Sequence, residues 1–288
     1  MKASRRASQD CFCQKYLDLL AAILQPAADG LLWLLRHAAV KQADETPWRT
    51  DGDNGYAWVF IAGRVTLFVC EKTRSSTVPA AVLADSLGNL MTDRYAAYNC
   101  FCGERGYCFE HLKRDTLKIV EDNPESAECL AFADELLPWI RMAISLRTAC
   151  AGDNVTYFLN AAFIRHKIEV ITNAPARHPS VQHIQSIFRE NPDRLWQWTV
   201  DPRMPADNNA AERAVRPLAI ARKVSHGSQS VRGRETRSVM MSILHTLNAC
   251  CLDPTAQLAQ ALNHYARDCN ADMFERTFGD LPLYVPTL

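Results

Sequence analysis

Three acidic side chains, Asp44, Asp93 and Glu212, stand far apart in the chain, each at a place where an element of structure is expected to begin or end. Carboxylates gathered at one point repel one another unless cations sit between them, and an oxygen-only donor set favours Mg²⁺ or Mn²⁺. Two such ions, about 3.5–4 Å apart, can activate an attacking oxygen and stabilise a leaving one in phosphoryl transfer. Glu212 lies in residues 207–237, DNNAAERAVRPLAIARKVSHGSQSVRGRETR, among Arg213, Arg216, Arg222, Lys223, Arg232, Arg234 and Arg237. Between Arg213 and Arg237 only Glu235 opposes these cations. Over all 288 residues, 32 basic side chains balance 32 acidic ones, so the net charge carries no argument. The local excess does, because it is what a phosphate backbone requires.

Elements must bring these residues together. Asp207, Asn208 and Asn209 are helix-capping types, and the run after them is expected to be a short helix that Pro217 ends or kinks. Asn208, Glu212 and Arg216 then share a face, while Ala210, Ala211 and Ala214 allow close approach of another element. Upstream, residues 14–39 read as two helices broken near Pro26 and Gly30. Residues 40–44 read as a short strand that Asp44 follows and Pro47 closes off. The runs 56–62 and 65–70 read as a hairpin turning at Gly63-Arg64. A helix over 75–87, closed by Gly88, leads to a strand at 90–92 that delivers Asp93.

Residues 95–99 begin a helix or turn, and 107–109 read as a fifth strand. From 110 the pattern is helical, over 111–120, 124–150, 154–170 and 178–189, and again over 233–251 and 254–268. The tail from Met273 fits no pattern. This order predicts an α/β fold: a ribonuclease-H-like mixed sheet with flanking helices and a large helical insertion. It divides the chain into an N-terminal helical segment (1–37), a first part of the core (38–109), the insertion (110–200) and a last part of the core with C-terminal helices (201–288). In such a sheet the first and fourth strands are neighbours, so Asp44 and Asp93 meet at one edge. The late helix brings Glu212 to them.

Each assignment has a rival. Glu45 competes with Asp44, but points to the opposite side if the strand continues. Asp207 competes with Glu212 and is better explained as a cap. His111 and Arg114 are candidates to face the site, and His226, beside Ser225, Gly227 and Ser228, is a candidate phosphate contact. Trp196 and Trp198 read as core rather than as base-stacking platforms. The eleven cysteines do not suit a secreted disulfide framework. The set Cys100, Cys102, Cys108 and His111 lacks a common zinc spacing, so reduced thiols in a cytosolic protein are the simpler expectation. The apolar reach 17–40 contains Asp18, Pro26, Asp29 and Arg36, which argues against a signal or a membrane span and for a cytoplasmic location.

At this point the residues carry a resemblance. The chain resembles the catalytic part of transposases of the insertion-sequence-66 family, within the Asp-Asp-Glu superfamily. The matching segments are ADETP (43–47), GYAWV (55–59), TDRYAAYN (92–99), CFEH (108–111) and the run 207–233, continuing to LDP (252–254). DNNAAERAVRP is the strongest of them. The resemblance implies that Asp44, Asp93 and Glu212 are the catalytic and metal-holding triad, with Mg²⁺ or Mn²⁺, two ions, as cofactor. It implies metal-dependent cleavage of DNA at transposon ends and strand transfer into target DNA, with phosphates positioned by Arg213, Arg216, Arg222, Lys223 and Arg232. The partners implied are transposon-end and target DNA, further copies of the chain in the active complex and companion proteins of the same element, with no membrane and a nucleoid-associated bacterial setting. Family members usually carry an N-terminal extension with a zinc-binding segment and DNA-binding helices, which is not seen before Asp44. The polar start, residues 1–10, suits a truncated copy. The alternatives are a non-catalytic remnant that binds DNA or a partner transposase, and a plain nuclease.

Overall fold

The computed structural model describes residues 2–283, with side chains from residue 13 onward. Five strands form a mixed sheet: β1 (Val40–Pro47), β2 (Tyr56–Ala62), β3 (Val65–Glu71), β4 (Asn89–Thr92) and β5 (Glu104–Tyr107). The helices before and between them are α1 (Lys2–His37) and α2 (Thr77–Leu83). After β5 come α3 (Phe109–Asp122), α4 (Ala127–Ala149), α5 (Asn154–Asn173), α6 (Pro179–Glu190), α7 (Pro192–Leu195) and α8 (Gln197–Val200). The chain closes with α9 (Asn209–Ser225), α10 (Val231–Cys250), α11 (Pro254–Arg267) and α12 (Met273–Phe278). This is the expected α/β, ribonuclease-H-like arrangement with a helical block set into it. Two compact units result, one of Met1–Gly88, Ala97–Cys102 and Ala210–Leu288, the other of Asn89–Ala96 and Gly103–Asn209.

In the first unit, β1, β2 and β3 form an antiparallel meander in which Asp44 pairs with Val59 and Val59 with Phe68. Because side chains alternate across a pleated strand, Gln42, Asp44 and Thr46 share one face with Ala57, Val59, Phe68 and Cys70. That face is covered by Ala211, Ala214 and Leu218 of α9, spaced at helical intervals, together with Trp48. Below the meander, α1 buries Leu24, Ala27 and Leu31 against Val65, against Val239, Ile243 and Leu247 of α10, and against Met273 and Phe278 of α12. Its stretch Cys13–His37 is long and apolar enough to cross a membrane by length and composition. A face of it is core all the same, since Leu24, Leu31 and Leu35 are fully buried.

The outer edge of β3 is capped by side chains. The backbone N–H groups of Thr66, Phe68 and Cys70 donate to Thr246 Oγ1 (3.1 Å), Ser242 Oγ (2.9 Å) and Ser238 Oγ (3.0 Å) of α10. A strand advances about 6.8 Å in two residues and a helix about 6.0 Å in four, so hydroxyls at i, i+4 and i+8 match alternate amides over this length. An unpaired edge that would otherwise invite another strand is thereby closed.

Several expected boundaries fall elsewhere, and proline is the main reason. Helix α1 runs unbroken through Pro26, and α9 runs unbroken through Pro217. Proline frees the carbonyl four residues earlier, but Ala22 and Arg213, like the prolines, are exposed, so water can satisfy it. Gly30 is not a break either: a Cβ there would collide with the ring of Phe274, so glycine is what lets α12 approach. The polar start is the first part of α1. Strand β1 extends to Pro47, so Asp44 lies within it rather than after it. Helix α2 is shorter than expected.

In the second unit, β4 and β5 run parallel, pairing Leu90 with Arg105 and Thr92 with Tyr107. The fifth strand therefore lies earlier than expected, at polar residues, because Phe109 is fully buried as the first residue of α3. Helices α3 to α6 pack in succession. Phe109, Phe188, Trp196 and Trp198 form an aromatic cluster, with Phe109 edge-on to Trp198 at 5.6 Å. Trp196 and Trp198 are thus core, as expected. The segment after Met273 folds as α12, and residues 284–288 lie outside the described part.

Candidate functional site

Asp44 is half-buried in mid-strand, and its Oδ1 accepts the N–H of Glu45 at 2.9 Å. Its neighbour is turned to the other face and occupied there. Arg74 donates to Glu45 Oε1 through Nη2 (2.6 Å) and Nε (3.0 Å), and Tyr98 donates to Oε2 at 2.6 Å. The Glu45 side chain is 2% exposed. A carboxylate so enclosed holds β1 to its surroundings, which leaves Asp44 as the reactive candidate of the pair.

Glu212 stands in the first turn of α9, half-buried, beside the Ala211 and Ala214 that pack on the sheet. Its helix therefore covers the very sheet face on which Asp44 stands. Asp207 accepts the N–H of Asn209 at 2.9 Å, a capping contact at the start of α9, as expected of it. Asp93 belongs to the second unit and is the first residue after β4. It is half-buried, and its Oδ1 accepts the N–H of Tyr95 at 2.8 Å, so the carboxylate also fixes the turn that follows. The next residue, Arg94, is paired with Asp115.

The basic residues divide into two sets. Arg213, Arg216 and Lys223 project from α9 as exposed side chains. Arg222 instead donates to the Pro47 carbonyl at 2.6 Å, tying the C-terminal part of α9 to the end of β1. Arg232 is bonded to Asp18 at 2.7 Å, although its side chain is 75% exposed. Arg234 is buried and reaches Glu71 at 3.2 Å, and Arg237 lies over the Trp48 ring at 4.7 Å. The Asp18 carboxyl is held below its ordinary pKa by the Thr236 hydroxyl, with Gln14 and Arg232 assisting against burial. Four of the seven basic residues read from the sequence thus make contacts within the fold.

His111 and Arg114 contact each other, Nε2 to Nη2, at 2.9 Å. His226 follows α9 in the left-handed region (φ 57°), exposed. Of the cysteines considered for zinc, Cys108 is buried and its sulfur accepts the N–H of Asn208 at 3.1 Å, while Cys100 is bonded to the Ala97 carbonyl. Arg49, Asn54 and Tyr56 did not stand out as side chains of interest in the sequence, yet they line a cavity at the end of β1. The signals there are the GYAWV segment, which includes Gly55 and Tyr56, and the cluster of Asp51, Gly52, Asp53, Asn54 and Gly55, which reads as a turn.

The mixed sheet and the helices flanking it place the chain in the α/β class. The chain belongs to the family described as Transposase IS66 family, whose model matches residues 8–236. Among curated proteins it is similar to "Uncharacterized protein y4jD" of Sinorhizobium fredii, 23% identical over 76% of this chain and 44% of that one. It is also similar to "Uncharacterized protein y4qI" of the same organism, 23% identical over 91% of this chain and 54% of that one. The chain spans about half the length of these relatives. No solved structure matches it.

Proposed function

We propose that the chain is the catalytic part of a DNA transposase in which Asp44, Asp93 and Glu212 hold divalent cations, Mg²⁺ or Mn²⁺. The observation that carries this reading is the placement of α9, with Glu212 in its first turn, over the sheet face of Asp44, while Glu45 is spent on Arg74 and Tyr98. The donor set fits a hard cation, since all three are carboxylates at half-buried positions. When bound, such ions supply Lewis acidity, lowering the pKa of water and offsetting charge on the leaving oxygen.

The chain's own residues do the rest. The carboxylates fix the reacting phosphodiester's position through what they hold, and the exposed Arg213, Arg216 and Lys223 grip flanking phosphates. The reaction consists of two in-line transfers. Water attacks phosphorus and displaces the 3′ oxygen at the element's end. The freed 3′-hydroxyl then attacks a target phosphodiester and displaces a second 3′ oxygen. Such a protein works in the cytoplasm at the nucleoid, on transposon-end and target DNA, in a complex holding more than one copy.

The test is purified protein with Mg²⁺ or Mn²⁺ and a labelled duplex carrying the element's end. Metal-dependent nicking and joined products are expected, both lost in Asp44→Asn and Glu212→Gln. Cleavage that survives in these variants would refute the triad. A wild type that binds the duplex and never cuts it would point instead to a DNA-binding protein without chemistry.

A further inference from the structure

At the end of β1, within the first unit, lies a cavity of about 570 Å³ lined by Trp48, Arg49, Asn54, Tyr56, Arg222 and His226. Its size falls in the range of small-molecule sites. Three of these six side chains are cationic or can become so, and no acidic side chain lines it. The nearest loop acids are Asp51 and Asp53, both exposed, and Asp53 is paired with Lys72 at 3.6 Å.

The frame around this cavity is held from both sides. Trp48 N–H donates to the Gly55 carbonyl at 2.7 Å, and its indole Nε1–H donates to Ser228 Oγ at 3.1 Å. Ser228 N–H donates to the Arg49 carbonyl (2.9 Å), and Asp51 N–H to the Ser228 carbonyl (2.8 Å). Gly227, at φ 126°, lies so close to the Arg49 carbonyl that any Cβ would collide with it. The Arg222 bond to the Pro47 carbonyl fixes the third wall. Arg49 and His226 are exposed side chains on this ordered backbone, and Tyr56, the first residue of β2, is half-buried with the Arg74 guanidinium over its ring at 5.5 Å. Surface charge on a floppy loop would need no such bracing.

We propose that this cavity is a nucleotide subsite, taking one nucleotide of the DNA strand on which the chain acts. The phosphate is received by Arg49, Arg222 and His226, and the base and sugar lie against Tyr56. This rests on the reading of the chain as a DNA-acting protein and adds to it a residue set outside the basic run that follows Glu212. The position suits the role, because Pro47 is three residues beyond Asp44 on the same strand.

The experiment is fluorescence anisotropy of the full chain with a labelled duplex of arbitrary sequence bearing a single-stranded 3′ overhang, across a salt series. Arg222 is unsuitable as a probe because it also holds β1 to α9. Arg49→Ala and His226→Asn are used instead, asparagine being tolerated where φ is positive. Each is expected to weaken binding roughly five- to tenfold, and Arg49→Ala to lower the salt slope by about one. Arg267→Ala, exposed on α11, serves as the control and should bind as wild type. In the same assay thymidine monophosphate should compete better than equimolar inorganic phosphate.

Equal competition by phosphate, or wild-type binding by both pocket variants with unchanged melting temperatures, would overturn the subsite while leaving DNA binding intact. Absence of any DNA binding by the wild type would overturn both readings together.

Discussion

Tyr98 donates a 2.6 Å hydrogen bond to Glu45 Oε2, and so takes up the carboxylate adjacent in sequence to Asp44. Two acids side by side on one strand are thus divided by the pleat, Glu45 into the fold and Asp44 onto the face under α9. The division can be measured. Tyr98→Phe removes a donor from a charged, enclosed acceptor and should cost about 1.5–3 kcal/mol in urea unfolding. Cleavage per folded molecule should be unchanged in Tyr98→Phe and in Glu45→Gln. Asp44→Asn should show the reverse, a near-normal unfolding midpoint with no cleavage. Activity in Asp44→Asn, or a folded and inactive Glu45→Gln, would mean that the wrong acid has been assigned.

The hydroxyl ladder on α10 makes a separate prediction about the edge of the sheet. Ser242→Ala leaves the buried Phe68 N–H without its acceptor at 2.9 Å. An orphaned buried amide costs roughly 1–3 kcal/mol. Hydrogen exchange at Phe68 should accelerate in this variant by more than it does at Val59 on the neighbouring strand β2. Equal protection at both amides, with unchanged stability, would show that the ladder contributes nothing.

Lys41 offers a pH test. It is fully buried, and its ammonium donates to the carbonyls of Ala38 (2.5 Å) and Leu87 (2.6 Å). Burial pushes its pKa down from 10.5 to about 8. Between those values the unfolded chain binds a proton that the folded chain does not, so stability must rise with pH across that window. The slope from this group alone is on the order of 1 kcal/mol per pH unit, vanishing below about pH 7, where both states are protonated. Unfolding curves at pH 7 to 10 should show this rise in the wild type and not in Lys41→Met. Parallel pH profiles for the two proteins would rule the assignment out.

The strands and helices were largely legible because the apolar periodicities are strong, as in the hairpin turning at Gly63-Arg64. What misled was local chemistry overridden by packing. Pro26 and Pro217 read as helix ends, yet both lie on wet faces where the freed carbonyl is hydrated and burial on the other face carries the helix onward. Gly30 read as a breaker and is a contact point for Phe274. The fifth strand lies earlier than the apolar pattern suggests because Phe109 is buried as the first residue of α3, while pairing with β4 uses the residues before it. At the candidate site Asp93 and Glu212 do stand at element ends, after β4 and in the first turn of α9, whereas Asp44 lies within β1 because pairing with β2 carries the strand on to Pro47. The roles of Arg222, Arg232 and Arg234 were not, because a charge run in sequence does not say which guanidiniums will meet Pro47, Asp18 and Glu71. Serines and threonine at 238, 242 and 246 carried the ladder in plain spacing, but only a strand laid beside them gives that spacing meaning.

Glu212→Gln separates chemistry from binding. The amide is nearly isosteric and keeps one oxygen, so α9 should form as before, with its Ala211, Ala214 and Leu218 contacts intact. One negative charge is lost from the set that holds the cations, so metal affinity falls and both cleavage and strand transfer should drop by at least about a hundredfold. DNA binding should persist or strengthen, since a like charge has left the path of the phosphates. The competing account makes Glu212 a partner of Arg216 one turn along the helix. An exposed pair of that kind is worth about 0.5 kcal/mol, and its loss would leave turnover untouched. Parallel measurements of anisotropy, nicking and thermal unfolding decide between the two. Wild-type nicking by Glu212→Gln would remove this residue from the metal site, and unaltered DNA affinity with nicking abolished would place it there.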